Sequence, residues 1–176
     1  MQFFMKLEKE NWAVYEGDRC IYRILHDTSD ALFSVALQNP YGDEVMAFYQ
    51  IKRWYHSLRF IKQKDLTIYE GENKLGELHK GKDGYVLTLH GVDYYLYGGM
   101  HSAKKTVSVY ERDVQMAEFT IEEKHVSVTF TNGVFGSLFA LFMYVLYVFL
   151  PIEDFNEEAF REHYQGMYMR DLDDIA

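Results

Sequence analysis

Five cations stand close together in one stretch of the chain: Lys52, Arg53, Arg59, Lys62 and Lys64, with Trp54, Tyr55 and His56 among them. With a bend at Arg53-Trp54-Tyr55-His56, Lys52 through Lys64 fall on neighbouring strands. Their charges could then meet an anionic lipid or phosphate while the two aromatic rings rest at a lipid interface. These five residues are the candidate anionic-ligand site. Other patterns predict less chemistry. Seven histidines are scattered singly, without the His-Glu-x-x-His or His-x-His spacing of a metal site. Cys20 is the single cysteine, which precludes an intramolecular disulfide or a Cys-based zinc cluster, and within a predicted strand it reads as an inert thiol. Gly-Val-Phe-Gly-Ser at 133–137 has neither the spacing of a nucleophile elbow nor the Lys of a phosphate loop, and reads as a hinge. The carboxylate pairs Asp43/Glu44 and Glu122/Glu123 fall at predicted turns, where hydration accounts for them. No catalytic residue, metal ligand or cofactor is expected, and the chain reads as a non-enzyme.

Whatever these residues do, they are positioned around residues 134–150, VFGSLFALFMYVLYVFL, a run with no charge. Its Leu, Phe, Met and Ala content favours a helix, one of roughly 26 Å at ~1.5 Å per residue. Such a helix has no polar face, so protein or lipid must surround it. Ahead of it the chain alternates with period two, rich in Tyr, Val, Ile, Phe and Thr, and turn residues recur every eight to twelve positions. That predicts about a dozen antiparallel strands joined as hairpins, with Gly, Asn and Asp at turns such as 16–18, 39–43, 70–73, 82–84, 90–93 and 132–133, and at Gly98-Gly99. One further strand is read at 57–62. A sheet of that size must curl or close, and a barrel of about twelve strands holds more room than its own side chains fill. The apolar helix is the natural plug, packed by inward residues such as Phe33, Val35, Val86, Leu87, Val107, Val126 and Val128. After Pro151, Phe155, Ala159, Phe160, Tyr164, Met167 and Tyr168 recur on one side of an amphipathic helix capped by Asp154 or Asn156, expected to fold over one barrel mouth. The domain plan is therefore 1–150 as barrel and axial helix, then 151–176 as amphipathic helix and frayed acidic end.

The net charge of −9 argues against nucleic acid as a partner. It is unevenly spread: residues 51–110 hold ten lysines and arginines against six acids, and residues 153–176 eight acids against two arginines. The lone cysteine fits a reducing compartment, and the start, MQFFMKLEKENW, is charged too early for a secretory signal. A cytoplasmic location follows as the expectation. The alternative is a membrane-anchored sensor with 134–150 as its span. The length suffices, but the flanks lack Lys/Arg clusters and Tyr144 and Tyr147 would sit toward the bilayer middle.

The order of about a dozen hairpin-joined strands and one hydrophobic helix, with the strand-plus-glycine phrases around 71–78 and 83–99, resembles the tubby C-terminal-like superfamily, which includes LURP-one-related proteins with small bacterial relatives and the phospholipid scramblases. The likeness covers roughly residues 1–150. It implies a closed barrel around a buried helix and, for function, phosphoinositide binding, lipid movement or protein interaction. No phosphoinositide signature can be matched residue by residue, and the tail after Pro151 departs from relatives in which the axial helix ends the chain. The sequence thus predicts a mainly β protein acting as a binding or scaffold module for a protein partner or an anionic lipid, with at most peripheral membrane contact. Scramblase-like lipid handling is the alternative.

Overall fold

The computed structural model describes residues 1–29, 31–51 and 64–167. Among these, twelve strands follow one another: β1 (Gln2–Glu8), β2 (Asn11–Glu16), β3 (Arg19–His26), β4 (Ser34–Gln38), β5 (Glu44–Gln50), β6 (Leu66–Glu70), β7 (Asn73–Lys80), β8 (Tyr85–Leu89), β9 (Val92–His101), β10 (Lys104–Glu111), β11 (Val114–Glu122) and β12 (His125–Phe130). Each pairs antiparallel with its neighbours in sequence, and β12 returns to pair with β1, closing the barrel. The closing register sets Phe3 against Val128 and Met5 against Val126, so apolar residues of both ends face inward together. The strand read at 57–62 lies outside the described residues.

Alternation along the strands fixes the interior. Val35 and Leu37, Met46 and Phe48, Leu66 and Ile68, Leu87 and Leu89 are all buried. A twelve-stranded wall leaves a lumen wider than these side chains can span. Helix α1 (Gly136–Val148) fills it, with Ala140, Leu141, Met143 and Val145 fully buried. Edge-to-face ring contacts tie helix to wall: Phe48 to Phe142 at 5.1 Å, Phe119 to Phe139 at 5.8 Å and Phe130 to Phe139 at 5.6 Å between centroids. Of the residues expected to face the helix, Val35, Leu87, Val107, Val126 and Val128 do so, while Phe33 sits at the rim and Val86 is only partly buried.

The helix is shorter than the apolar run. Residues Gly133–Phe135 form a 3-10 turn that Asn132 caps, its side chain accepting from the Val134 amide at 3.0 Å, and Val134 is 85% exposed. With thirteen residues inside the barrel, α1 is no membrane span, and among the described residues no helix is long and apolar enough to cross a membrane. The run 134–150 is thus not one continuous helix of membrane length. We call the end where α1 emerges the upper mouth; the β7–β8, β9–β10 and β11–β12 turns stand around it.

Two local expectations need correction. The turn after β9 is not at Gly98-Gly99 but at Ser102 and Ala103, both in the left-handed region at φ 50° and 63°, and the two glycines lie inside the strand. The tail crosses the mouth only with its first residues, 151–155, and its helix lies elsewhere. Asn156 caps only a short helix, α2 (Glu157–His163), which packs on the outside of β9. The chain then straightens at Tyr164 and runs on to the β10–β11 turn, where Gln165 donates from Nε2 to the Asp113 carbonyl at 2.6 Å. The reason is in the wall. A Cβ on Gly98 would lie 2.7 Å from the Phe155 ring, and one on Gly99 would lie 2.4 Å from Phe160. Without these Cβ atoms, β9 accepts two rings that any other residue would exclude.

Candidate functional site

Strand β9 overreaches its neighbour. Its pairing with β8 stops at Tyr85 opposite Leu96, whereas its pairing with β10 continues to His101 opposite Lys104. The projecting β9–β10 hairpin, the end of β11 and the end of α1 together enclose an open cavity of about 600 Å³ at the upper mouth, a size that takes small-molecule ligands. Met100, Ile121, Leu146, Tyr147, Pro151 and Ile152 give it an apolar lining, and Lys104, Lys105, Glu122 and Glu123 stand around them. Lys104 approaches Glu122 at 3.5 Å with both side chains about half exposed, so the pair contributes little to stability. Lys105 makes no ion pair among the described residues. The Glu122/Glu123 pair, read from sequence as hydrated turn residues, thus borders a cavity as well.

Lys64 is the one member of the five-cation candidate site within the described residues; Lys52, Arg53, Arg59 and Lys62 lie outside them. Its ammonium donates to the Phe149 carbonyl at 2.8 Å, lies 3.7 Å from Asp154 Oδ2 and sits 5.4 Å from the centre of the Phe149 ring. It therefore serves the carboxyl end of α1, where a cation offsets the partial negative charge of unpaired carbonyls. Asp154 is held from other sides too: the Tyr85 hydroxyl donates to Oδ2 at 2.9 Å and Lys80 to its backbone carbonyl at 2.7 Å. Burial first, and then the hydrogen bond to Asp154, push the Tyr85 hydroxyl far above its ordinary pKa of 10.0.

Aromatic side chains complete the rim. Trp12 packs against Tyr147 at 5.0 Å and Phe33 stacks on Phe149 at 4.3 Å. His26 Nδ1 and the Tyr144 hydroxyl share a hydrogen bond of 2.7 Å, and burial raises the Tyr144 pKa. Tyr144 thus meets a polar partner inside protein. Other sequence candidates have structural partners. Cys20 Sγ donates weakly to the Tyr22 carbonyl at 3.6 Å; His163 stacks on Tyr97 at 4.3 Å; His125 lies 3.8 Å from Glu122. Among the described residues, no three His, Cys, Asp or Glu side chains gather where a metal could be held.

No family model, curated protein or solved structure matches the chain. What the site can do must be read from its own chemistry. Its apolar lining offers contact area and its charges stand on the rim, an arrangement that can hold an amphiphile. Sequence reasoning missed Met100, Lys104, Lys105, Ile121, Leu146 and Ile152. The signal lies in strand lengths: only a β9 extended past β8 creates the cavity, and the glycine pair disguised that extension as a turn.

Proposed function

We propose that the protein is a non-enzymatic binding module whose upper mouth takes an anionic amphiphile, its hydrocarbon on the apolar lining and its carboxylate or phosphate at Lys105. The observation that carries this reading is the open cavity of about 600 Å³, apolar beneath and charged at the rim. Lys105 is the rim cation open to a ligand, since Lys104 faces Glu122. A charge-assisted contact at the rim fixes orientation, and burial of the chain supplies affinity. The tubby-like resemblance agrees with a lipid-directed role, and the single cysteine with a cytoplasmic one.

Titration with a fluorescent hexadecanoate tests the reading. Saturable binding that Ile121→Asp abolishes and Lys105→Glu weakens supports it. Absence of saturation, or binding indifferent to both changes, overturns it. Flotation with phosphatidylglycerol or phosphatidylcholine vesicles then separates recognition of a lipid in a membrane from recognition of a free fatty acid.

A further inference from the structure

The tail covers a face of the barrel that is composed for water. Alternation turns Thr106, Ser108 and Tyr110 of β10 outward, beside Gln115 and Glu118 of β11, yet Thr106, Ser108, Tyr110 and Gln115 are 2% exposed or less. Beneath the tail, neither Ser108 Oγ nor Glu118 Oε1 has a hydrogen-bond partner among the described residues. A permanent cover would be expected to rest on apolar residues, because buried polar atoms without partners oppose the covered state. Such a wall loses little when uncovered, since water satisfies the same atoms.

The attachments are concentrated in one stretch: the Tyr164 hydroxyl donates to Glu118, His163 stacks on Tyr97, Tyr164 lies against His101, and Gln165 Nε2 donates to the Asp113 carbonyl. Phe155 fills the space left at Gly98, and Phe160 the space left at Gly99. Tyr110 donates its hydroxyl to the His163 carbonyl, and Gln115 Oε1 accepts from the amides of Gln165 at 3.2 Å and Gly166 at 3.0 Å. The chain leading into this segment is the mouth itself. Pro151 and Ile152 line the cavity, Asp154 is pinned by Tyr85 and Lys80, and Phe155 is buried with the core. Gly98, which the Phe155 ring touches, and Met100, which lines the cavity, lie two apart on β9 and so share its inner face. The space Phe155 occupies therefore adjoins the cavity.

We propose that residues 155–167 form a releasable clasp that regulates the mouth: docked, it keeps Phe155 in the space into which a long hydrocarbon would extend, and released, it opens that space. The proposal rests on the reading of the mouth as an amphiphile site. Asp154 is the fixed end and the polar wall of β10 and β11 the dock. Ligand and clasp compete for one apolar volume, so apparent affinity scales with the fraction of molecules whose clasp is open.

Gly99→Val separates the two states. Valine suits an outward strand position, but its Cβ would lie 2.4 Å from Phe160, lifting α2 while leaving the barrel interior untouched. Amide exchange at Ala159, Tyr164, Gln165 and Gly166 is expected to speed up by about tenfold or more, and fluorescent hexadecanoate to bind about tenfold tighter than to the wild type. Phe160→Ala, which removes an anchor without adding bulk, should move both readouts the same way and serves if the valine disturbs the strand. Faster exchange with hexadecanoate affinity equal to or below that of the wild type overturns the clasp while leaving the mouth reading intact. If hexadecanoate binds neither form although exchange is faster, the mouth reading has failed and the regulation proposed on it falls too.

Discussion

Two walls of one barrel are treated in opposite ways. On β10 and β11 the outward residues Thr106, Ser108, Gln115 and Glu118 are polar and lie beneath the tail. On β3 to β6 a row running from Leu25 through Ala36 and Ala47 to Tyr69, with Tyr49 beside it, is largely apolar; it is partly exposed at Leu25 and Tyr49 and buried at Ala47. Leu25 is 44% exposed and Tyr49 43%. Hydrophobicity would have placed a cover on the second wall. What decides is shape: beside the covered wall Gly99 of β9 leaves room for the Phe160 ring, and side chains there capture backbone groups of the tail, whereas the other wall has alanines and two tyrosine rings packed edge to face at 5.7 Å. Burial inside this barrel is set by the hydrophobic effect, and cover on its outside by local fit.

The strongest way to break that division is to attack the interior. Leu141, fully buried in α1, has no partner for a charge, so Leu141→Asp should abolish folding. Loss of the β signal in circular dichroism is the expected result. A variant that keeps its β spectrum would show that the strands close without the helix, and would remove the distinction between interior and surface.

The next pair of substitutions compares one residue type in both settings. Phe119 and Phe160 are equally hidden, at 0% and 2% exposure, but Phe119 packs on Phe139 and Phe142 of the axial helix while Phe160, in the tail, packs against Gly99 of β9. Phe119→Ala should lower global stability by about 3–5 kcal/mol. Phe160→Ala should cost distinctly less in a denaturant melt, because the tail can detach without the barrel opening. Equal losses would mean that the tail and barrel unfold as one unit.

Tyr85 provides a pH-dependent test at the junction of the two regions. Its folded pKa lies above the ordinary 10.0, so between these values the folded chain keeps a proton that the unfolded chain has released. Its contribution is therefore complete below pH ~10 and declines as pH rises further, by about 1.4 kcal/mol per pH unit for a single group. Denaturant melts at pH 9 and above pH 10 should show this decline, and Tyr85→Phe should make it shallower, the remainder coming from other tyrosines whose pKa burial raises, Tyr164 and Tyr144 among them. An unchanged slope in the variant would place the alkaline sensitivity elsewhere.

The barrel was legible because its determinants are local and repeated. Alternation such as Val35/Leu37 and Met46/Phe48, tight-turn glycines such as Gly17 and Gly71, and one uncharged run leave few architectures open. The site was not, because it depends on where strands stop relative to one another. Lys104 and Ile121 become neighbours of Leu146 only through the overhang of β9, and no periodicity reports an overhang. The path of the tail was misread for a related reason. The spacing of Phe155, Ala159, Phe160 and Tyr164 suits a helix, but the chain leaves the helical conformation at Tyr164, with ψ 125°, to follow the wall. Tertiary contact overrides propensity most easily at the end of a short helix.

The smallest expected effect concerns the wall of β3 to β6. Leu25→Ser and Tyr49→Ser remove side chains that are 44% and 43% exposed, so a loss of about 1 kcal/mol, well below that of Phe119→Ala, is expected in denaturant melts. If Tyr49 instead cost several kcal/mol, its packing on Tyr69 across β5 and β6 would be an essential brace, and the wall would be covered in effect by its own side chains. A small loss sharpens the contrast. The same hydrophobic side chains that hold the interior together would then contribute far less on the outside, where the tail is held by Phe160 against Gly99 and by the polar groups of β10 and β11.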